Sequence, residues 1–205
     1  KSDGDLKQTY WLFRIIASPF LTAIGPPLTR FALTCHLPVK GLIRKTLFKQ
    51  FCGGETIQGC EPAMQQMAAD HIGTILDYSL EGHEDEQVFD RAADEICRTI
   101  EYAVGKDYIP FSVFKMTGLG AFSLLEKKAA GDPLTPEEVL AWQKVKDRFD
   151  RICQLGYSCG QPVLVDAEHF WIQSLIDDLV LDAMRKYNKD KAVIFTTCQM
   201  YLKTG

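Results

Sequence analysis

The feature that most constrains this chain is a pattern repeated through its last two thirds. Short, continuously apolar runs each close on a polar side chain and give way to a stretch with helical periodicity. HIGTILDYS (71–79), IPFSVFKMTG (109–118), QPVLVDAE (161–168) and AVIFTTCQMYL (192–202) are rich in β-branched and aromatic residues and predict strands. Pro110 is tolerable only at the start of its strand. Between the first two runs, residues 84–105 space Val88, Ala92, Ile96, Ile100 and Val104 four apart, as one apolar helix face would. Helices near 120–130 and 136–155, divided by a Gly131-Asp132-Pro133 turn, and at 169–188 complete the alternation. Strands that are apolar throughout and joined by helical crossovers require a parallel sheet covered on both faces.

An open doubly wound sheet and a closed barrel both satisfy that requirement, and the strand ends choose between them. No glycine-rich phosphate fingerprint follows the first strand, which disfavours a dinucleotide-binding sheet. Instead Asp77, Lys115, Asp166 and Gln199 close the successive strands, the arrangement from which barrels build active sites. A closed barrel takes eight strands in about 250 residues. Four strands over residues 71–205 therefore predict an α/β fold that is the first half of a (β/α)8, TIM-like barrel, interrupted at Gly205. Such a half barrel leaves two strand edges that invite self-association.

Residues 1–70 read as a helical N-terminal arm and support. Residues 6–24 are apolar with scattered basic residues, Pro19 kinks or ends a helix, and Gly25-Pro26-Pro27 predicts a break. A basic amphipathic stretch over 28–50 is interrupted at Pro38. FCGGET then supplies a turn, from which Glu55 or Thr56 opens a helix to about Asp70. Residues 1–50 hold eight Lys and Arg against Asp3 and Asp5, so an arm of net +6 precedes a body of net −10 in a chain of net −4. That balance argues against nucleic acid as a partner, while the basic arm suits contact with anionic lipid or a solvated face beside the barrel. No apolar run approaches the roughly 18–20 residues needed to span a bilayer. Seven cysteines without a CxxC pair form neither a disulfide framework nor a zinc site, and fit reduced thiols in a cytosolic or matrix-like compartment. The chain opens on Lys1, with no signal peptide, and reads as truncated at both ends.

Each strand-end residue has more than one reading. Lys115 is a snorkelling lysine, a cation aimed into the barrel mouth at a carboxylate or a cofactor edge, or a Schiff-base lysine. Asp166 either caps the following helix or belongs to the site; with Glu168 and His169 it also resembles a metal set by type, the basis of an alternative metal-dependent barrel hydrolase. Gln199 can donate and accept at once, which suits a heterocycle edge; otherwise it bonds a neighbouring loop. Asp77 and Glu81 either cap the next helix or pair with an Arg from elsewhere. A binding scaffold built on the basic arm is the non-enzyme reading.

FKQFCGGET, ILDYSLE, FSVFKMTGLG, VLVDAEHFWIQ, the KYN turn and IFTTCQMYLK follow one another in the order and spacing of the proline dehydrogenase family. Over roughly residues 40–203 the chain resembles that family, its stand-alone, eukaryote-like branch in particular. The resemblance implies a (β/α)8 barrel holding FAD. It also implies oxidation of L-proline to Δ1-pyrroline-5-carboxylate, with electrons passed to quinone at the mitochondrial matrix side or the cytoplasmic face of a bacterial inner membrane. It places Lys115 near flavin N5 and the substrate carboxylate, Asp166 in the flavin and substrate pocket, and Gln199 on the pyrimidine edge. Asp77 and Glu81 go to the substrate side, Glu81 pairing with an Arg of the last barrel helix. No metal is implied. The family's arginine-bearing later segments lie past Gly205, so the 205 residues alone are expected to be inactive and to hold FAD poorly. A hydroxyproline dehydrogenase is the alternative within the same chemistry.

Overall fold

The computed structural model describes residues 2–78 and 82–201. Two compact units divide the chain, Lys1–Ala63 and Met64–Gly205. The first is helical. α1 (Asp3–Ile16) opens on a capping box in which Ser2 and Asp5 satisfy each other's backbone N–H. α2 (Pro19–Thr34) starts with Ser18 as its cap and Pro19 at the first position, where a missing N–H costs nothing. A short helix α3 (Lys40–Ile43) runs through a π turn (Arg44–Phe48) into a last turn, α4 (Lys49–Phe51). Gln8 Nε2 donates to the Lys45 carbonyl at 2.7 Å, Lys49 Nζ to Asp5 Oδ1 at 2.8 Å, and Phe13 meets Phe51 edge to face. The bonds from Lys49 and Ser2 hold the Asp5 carboxyl well below the usual carboxylate range. α5 (Ile57–Ala69) crosses the boundary between the units.

The expected break at Gly25-Pro26-Pro27 does not occur, because α2 continues through both prolines. The carbonyls they deprive of helical donors belong to Thr22 and Ala23, which are exposed, so water can satisfy them.

The second unit is a parallel four-stranded sheet in the order β1-β2-β3-β4, with β1 Leu76–Asp77, β2 Ser112–Phe114, β3 Val163–Val165 and β4 Ile194–Thr196. The fold is α/β, four consecutive strands of a (β/α)8 barrel wall following a helical arm. Its crossovers are α6 (Glu86–Ala103), then α7 (Phe122–Ala130) with α8 (Pro136–Cys159), and α9 (Phe170–Tyr187). The apolar runs are much longer than the paired strands. Ile109 and Met116 are fully buried yet lie outside β2, so the length of the run reports burial rather than ladder.

Phe114, Val163, Val165 and Ile194 from the sheet pack with Ile96 and Ile100 of α6, Phe149 and Ile152 of α8, and Ile172 and Ile176 of α9. The buried face of α6 keeps the middle of the expected row and departs from it at both ends. Residues strictly four apart rotate about 40° per step around a helix of 3.6 residues per turn. The row is therefore in the core only over its middle: Ala92, Ile96 and Ile100 are buried with Phe89, Ala93 and Ala103, while Val88 is half-buried and Val104 is exposed beyond the helix end.

Candidate active site at the strand ends

The parallel register aligns Phe114 with Val165 and Val165 with Thr196. Extended by one residue, it puts Lys115, Asp166 and Thr197 in an inner row at the C-terminal edge of the sheet. Extended by three, it aligns Thr117, Glu168 and Gln199 in an outer row. Hydrogen bonds run along both rows. In the inner row Thr197 Oγ1 donates to Asp166 Oδ1 at 3.1 Å and accepts from the Ala167 N–H, while the Asp166 N–H reaches the Phe114 carbonyl at 2.9 Å. In the outer row Thr117 gives its N–H to Glu168 Oε1 at 3.0 Å and its hydroxyl to Oε2 at 2.6 Å, and Gln199 Nε2 donates to the Glu168 carbonyl at 2.7 Å.

The expected residues fall into this frame unevenly. Lys115 and Asp166 are half-buried members of the inner row. Asp166 does not cap α9: that position belongs to His169, which makes no side-chain cap bond. Gln199 lies two residues farther out than expected, because Thr197 occupies the place equivalent to Lys115 and Asp166. Asp77 is exposed and pairs in register with Val113, two residues short of Lys115. Glu81 lies outside the described residues. His169 stacks on Trp171 at 4.7 Å and meets Phe122 edge to face. No group of three or more His, Cys, Asp or Glu side chains placed to hold a metal ion occurs among the described residues.

Sequence reasoning passed over Thr117, Thr197 and the hydrogen-bonding role of Glu168. A signal for them stood in the sequence: each of β2, β3 and β4 is followed by two polar residues two apart, Lys115 and Thr117, Asp166 and Glu168, Thr197 and Gln199.

One atom tests whether this edge suits a flavin. Gln199 Oε1 is buried and has no hydrogen-bond partner among the described residues, while its amide nitrogen is committed to Glu168. A buried acceptor without a partner costs about 1–3 kcal/mol. Any group presenting an N–H or O–H would satisfy it, and the imide N–H of a flavin is one such group, so this atom is compatible with FAD.

Both rows lie inside the segment, residues 60–205, that matches the proline dehydrogenase family. The chain belongs to the proline dehydrogenase family. Among curated relatives it is similar to proline dehydrogenase 1, mitochondrial, of Dictyostelium discoideum, with 31% identity over 100% of this chain and 43% of that protein. It is also similar to the carbapenem antibiotics biosynthesis protein CarD of Pectobacterium carotovorum, with 38% identity over 75% of this chain and 41% of that one. The chain therefore spans well under half the length of these relatives. Among solved structures, proline utilization A from Bdellovibrio bacteriovorus, inactivated by N-propargylglycine, superposes with a TM-score of 0.62 at 19% identity. The superposition covers 80% of this chain and 18% of that one. It shows the shared barrel fold of the proline dehydrogenase family.

Proposed function

We propose that the protein to which this chain belongs oxidises L-proline to Δ1-pyrroline-5-carboxylate with FAD as the hydride acceptor and membrane quinone as the final oxidant. The observation that carries this reading is the buried Gln199 Oε1, without a hydrogen-bond partner among the described residues, at the end of the outer row, beside the inner row that presents Lys115 and Asp166. When bound, FAD supplies a two-electron acceptor for the hydride leaving the ring carbon beside the amine. The protein's own task is to bind, orient and dry the substrate. The Lys115 ammonium attracts the proline carboxylate and stabilises charge that develops near the flavin. Asp166, held by Thr197, orders the pocket wall, and Gln199 fixes the pyrimidine edge. Asp77 and Glu81 belong to the substrate side, Glu81 through an arginine from a later segment.

A membrane acceptor gives the helical arm a role. No single helix among the described residues is long and apolar enough to cross a membrane, but α1 and α2, bent by 96°, pass that test together. Phe20 is 70% exposed and Phe31 64%, with Arg30 on the same helix, which suits insertion at an anionic surface. Several relatives are named mitochondrial, so we place the site on the matrix side of the inner membrane or its bacterial equivalent. The test is the product. Full-length protein reconstituted with FAD and given L-proline and a soluble quinone should yield an imine lighter than proline by two hydrogens, read by mass spectrometry. Unchanged proline would overturn the reading.

A further inference from the structure

Glu168 is bonded to three separate elements at once. Its carboxylate takes both donors of Thr117 beyond β2, its carbonyl takes the Gln199 amide beyond β4, and its N–H goes to Gln173 Oε1 on α9 at 2.9 Å. Gln173 is in turn fixed by donating to Asp177 Oδ1 at 2.8 Å. We infer that Glu168 is the positioning residue of the strand-end site: it sets the spacing of Lys115 and Asp166 and decides which face of the Gln199 amide is presented. The inference rests on the proline dehydrogenase reading of the site.

Thr117 and Glu168 each stand two residues past Lys115 and Asp166 on equivalent turns. A two-point bond between the outer residues therefore fixes the separation of the inner ones. Without it, the turn Met116–Gly118 loses its direct tie to the β3 end, although its own 3₁₀ bonds and the Arg148 bond to the Leu119 carbonyl remain. The second effect is directional. The Glu168 carbonyl can only accept, so the Gln199 amide turns its nitrogen, its donor end, towards it and Oε1 is left as the buried acceptor. The carboxylate is essential to the first effect, because both of its oxygens accept. A glutamine there would set an NH2 group against one Thr117 donor. The hydroxyl of Thr117 is equally specific: serine keeps it and valine removes it.

The experiment uses the full-length protein and two readouts. Amide hydrogen exchange at Thr117 and Ala167 in the FAD-free protein reports the clasp alone. Fluorescence titration with FAD, followed by anaerobic flavin reduction by L-proline, reports its consequence for the site. Glu168→Gln and Thr117→Val should speed exchange at Thr117 and weaken FAD by about tenfold, the worth of one well-placed hydrogen bond. Flavin reduction should slow more than KM rises, and Thr117→Ser should restore every readout. Wild-type exchange, FAD affinity and reduction rate in both variants would overturn the inference. If Glu168→Gln does not fold, the contrast between Thr117→Val and Thr117→Ser decides. If the wild-type protein binds no FAD, the functional reading falls, and the exchange data still decide whether Glu168 holds the turn.

Discussion

Arg148, on α8, donates from Nη1 to the carbonyl of Leu119 at 2.8 Å. Its other nitrogens go to Asp90 and Glu86 on α6, at 2.8 and 2.6 Å, so one buried guanidinium joins two crossover helices to the turn that follows β2. That turn begins immediately after Lys115, and the stability of the scaffold and the placement of the site are linked there. Arg148→Ala removes the partner of a buried carbonyl and the packing of the arginine stem. It should cost about 2–3 kcal/mol, which lowers the thermal midpoint by roughly 4–12 °C in a domain of this size. Arg148→Lys should recover only part, since a point charge cannot reach three acceptors. Thermal unfolding followed by circular dichroism checks both.

Gly156 lets α8 pass directly over β3. A Cβ there would collide with Val163 Cγ2 and come within 3.1 Å of the Gln161 carbonyl. Gly156→Ala should destabilise by about 1–3 kcal/mol through overpacking. Gly25, in the middle of α2, has nothing within 4 Å of that position. Gly25→Ala should leave stability unchanged or raise it by up to about 1 kcal/mol. The urea midpoint should fall for Gly156→Ala and stay level or rise for Gly25→Ala.

Burial pushes the Cys153 thiol up from 9.0 to about 12, with the Asp150 carboxylate adding to the effect. The folded protein thus holds this proton more tightly than the unfolded chain. Its contribution is complete below about pH 9 and is lost progressively as pH rises from 9 towards 12. Urea midpoints should fall across that window, and Cys153→Ala should flatten the fall while costing some packing. At neutral pH a thiol reagent should modify the exposed Cys35, Cys52, Cys159 and Cys198 and spare Cys153 until the protein unfolds.

Much of this fold was legible before any coordinates. Lys115 and Asp166 could be found because a charged residue closing an apolar run has few structural uses on a sheet buried on both faces. Gln199 stood out because an amide both donates and accepts, but the sequence placed it two residues too near the ladder, and its nitrogen bonds the neighbouring Glu168 carbonyl. In TTCQ either threonine could end the ladder, and only the register with Val165 decides. The bond between Thr117 and Glu168 joins residues 51 apart, and no local pattern reports such a pairing. The prolines of α2 misled for a similar reason. Whether a proline breaks a helix depends on the environment of the carbonyls it leaves bare, and that is settled by tertiary exposure.

The arm makes its own prediction. Full-length protein should sediment with vesicles containing anionic lipid, less so at high salt. Phe20→Asp together with Phe31→Asp should weaken binding at least tenfold, since each buried ring is worth about 1.5–3 kcal/mol. Equal binding to neutral vesicles, or no loss in the double variant, would count against the arm.

Lys115→Ala in the full-length protein should slow flavin reduction by about 10²–10³-fold, the usual loss when one preorganised electrostatic group is removed. The fold should be intact, because Lys115 is only half-buried. Stopped-flow absorbance gives the rate, and unchanged kinetics would reduce Lys115 to a structural lysine.

The most direct measurement is the visible spectrum of the full-length protein, taken anaerobically before and after addition of L-proline. The account predicts a bound flavin whose absorbance band bleaches with L-proline. A flavin that ignores L-proline but bleaches with hydroxyproline would contradict the substrate assignment. Failure to take up FAD at all would contradict the account as a whole.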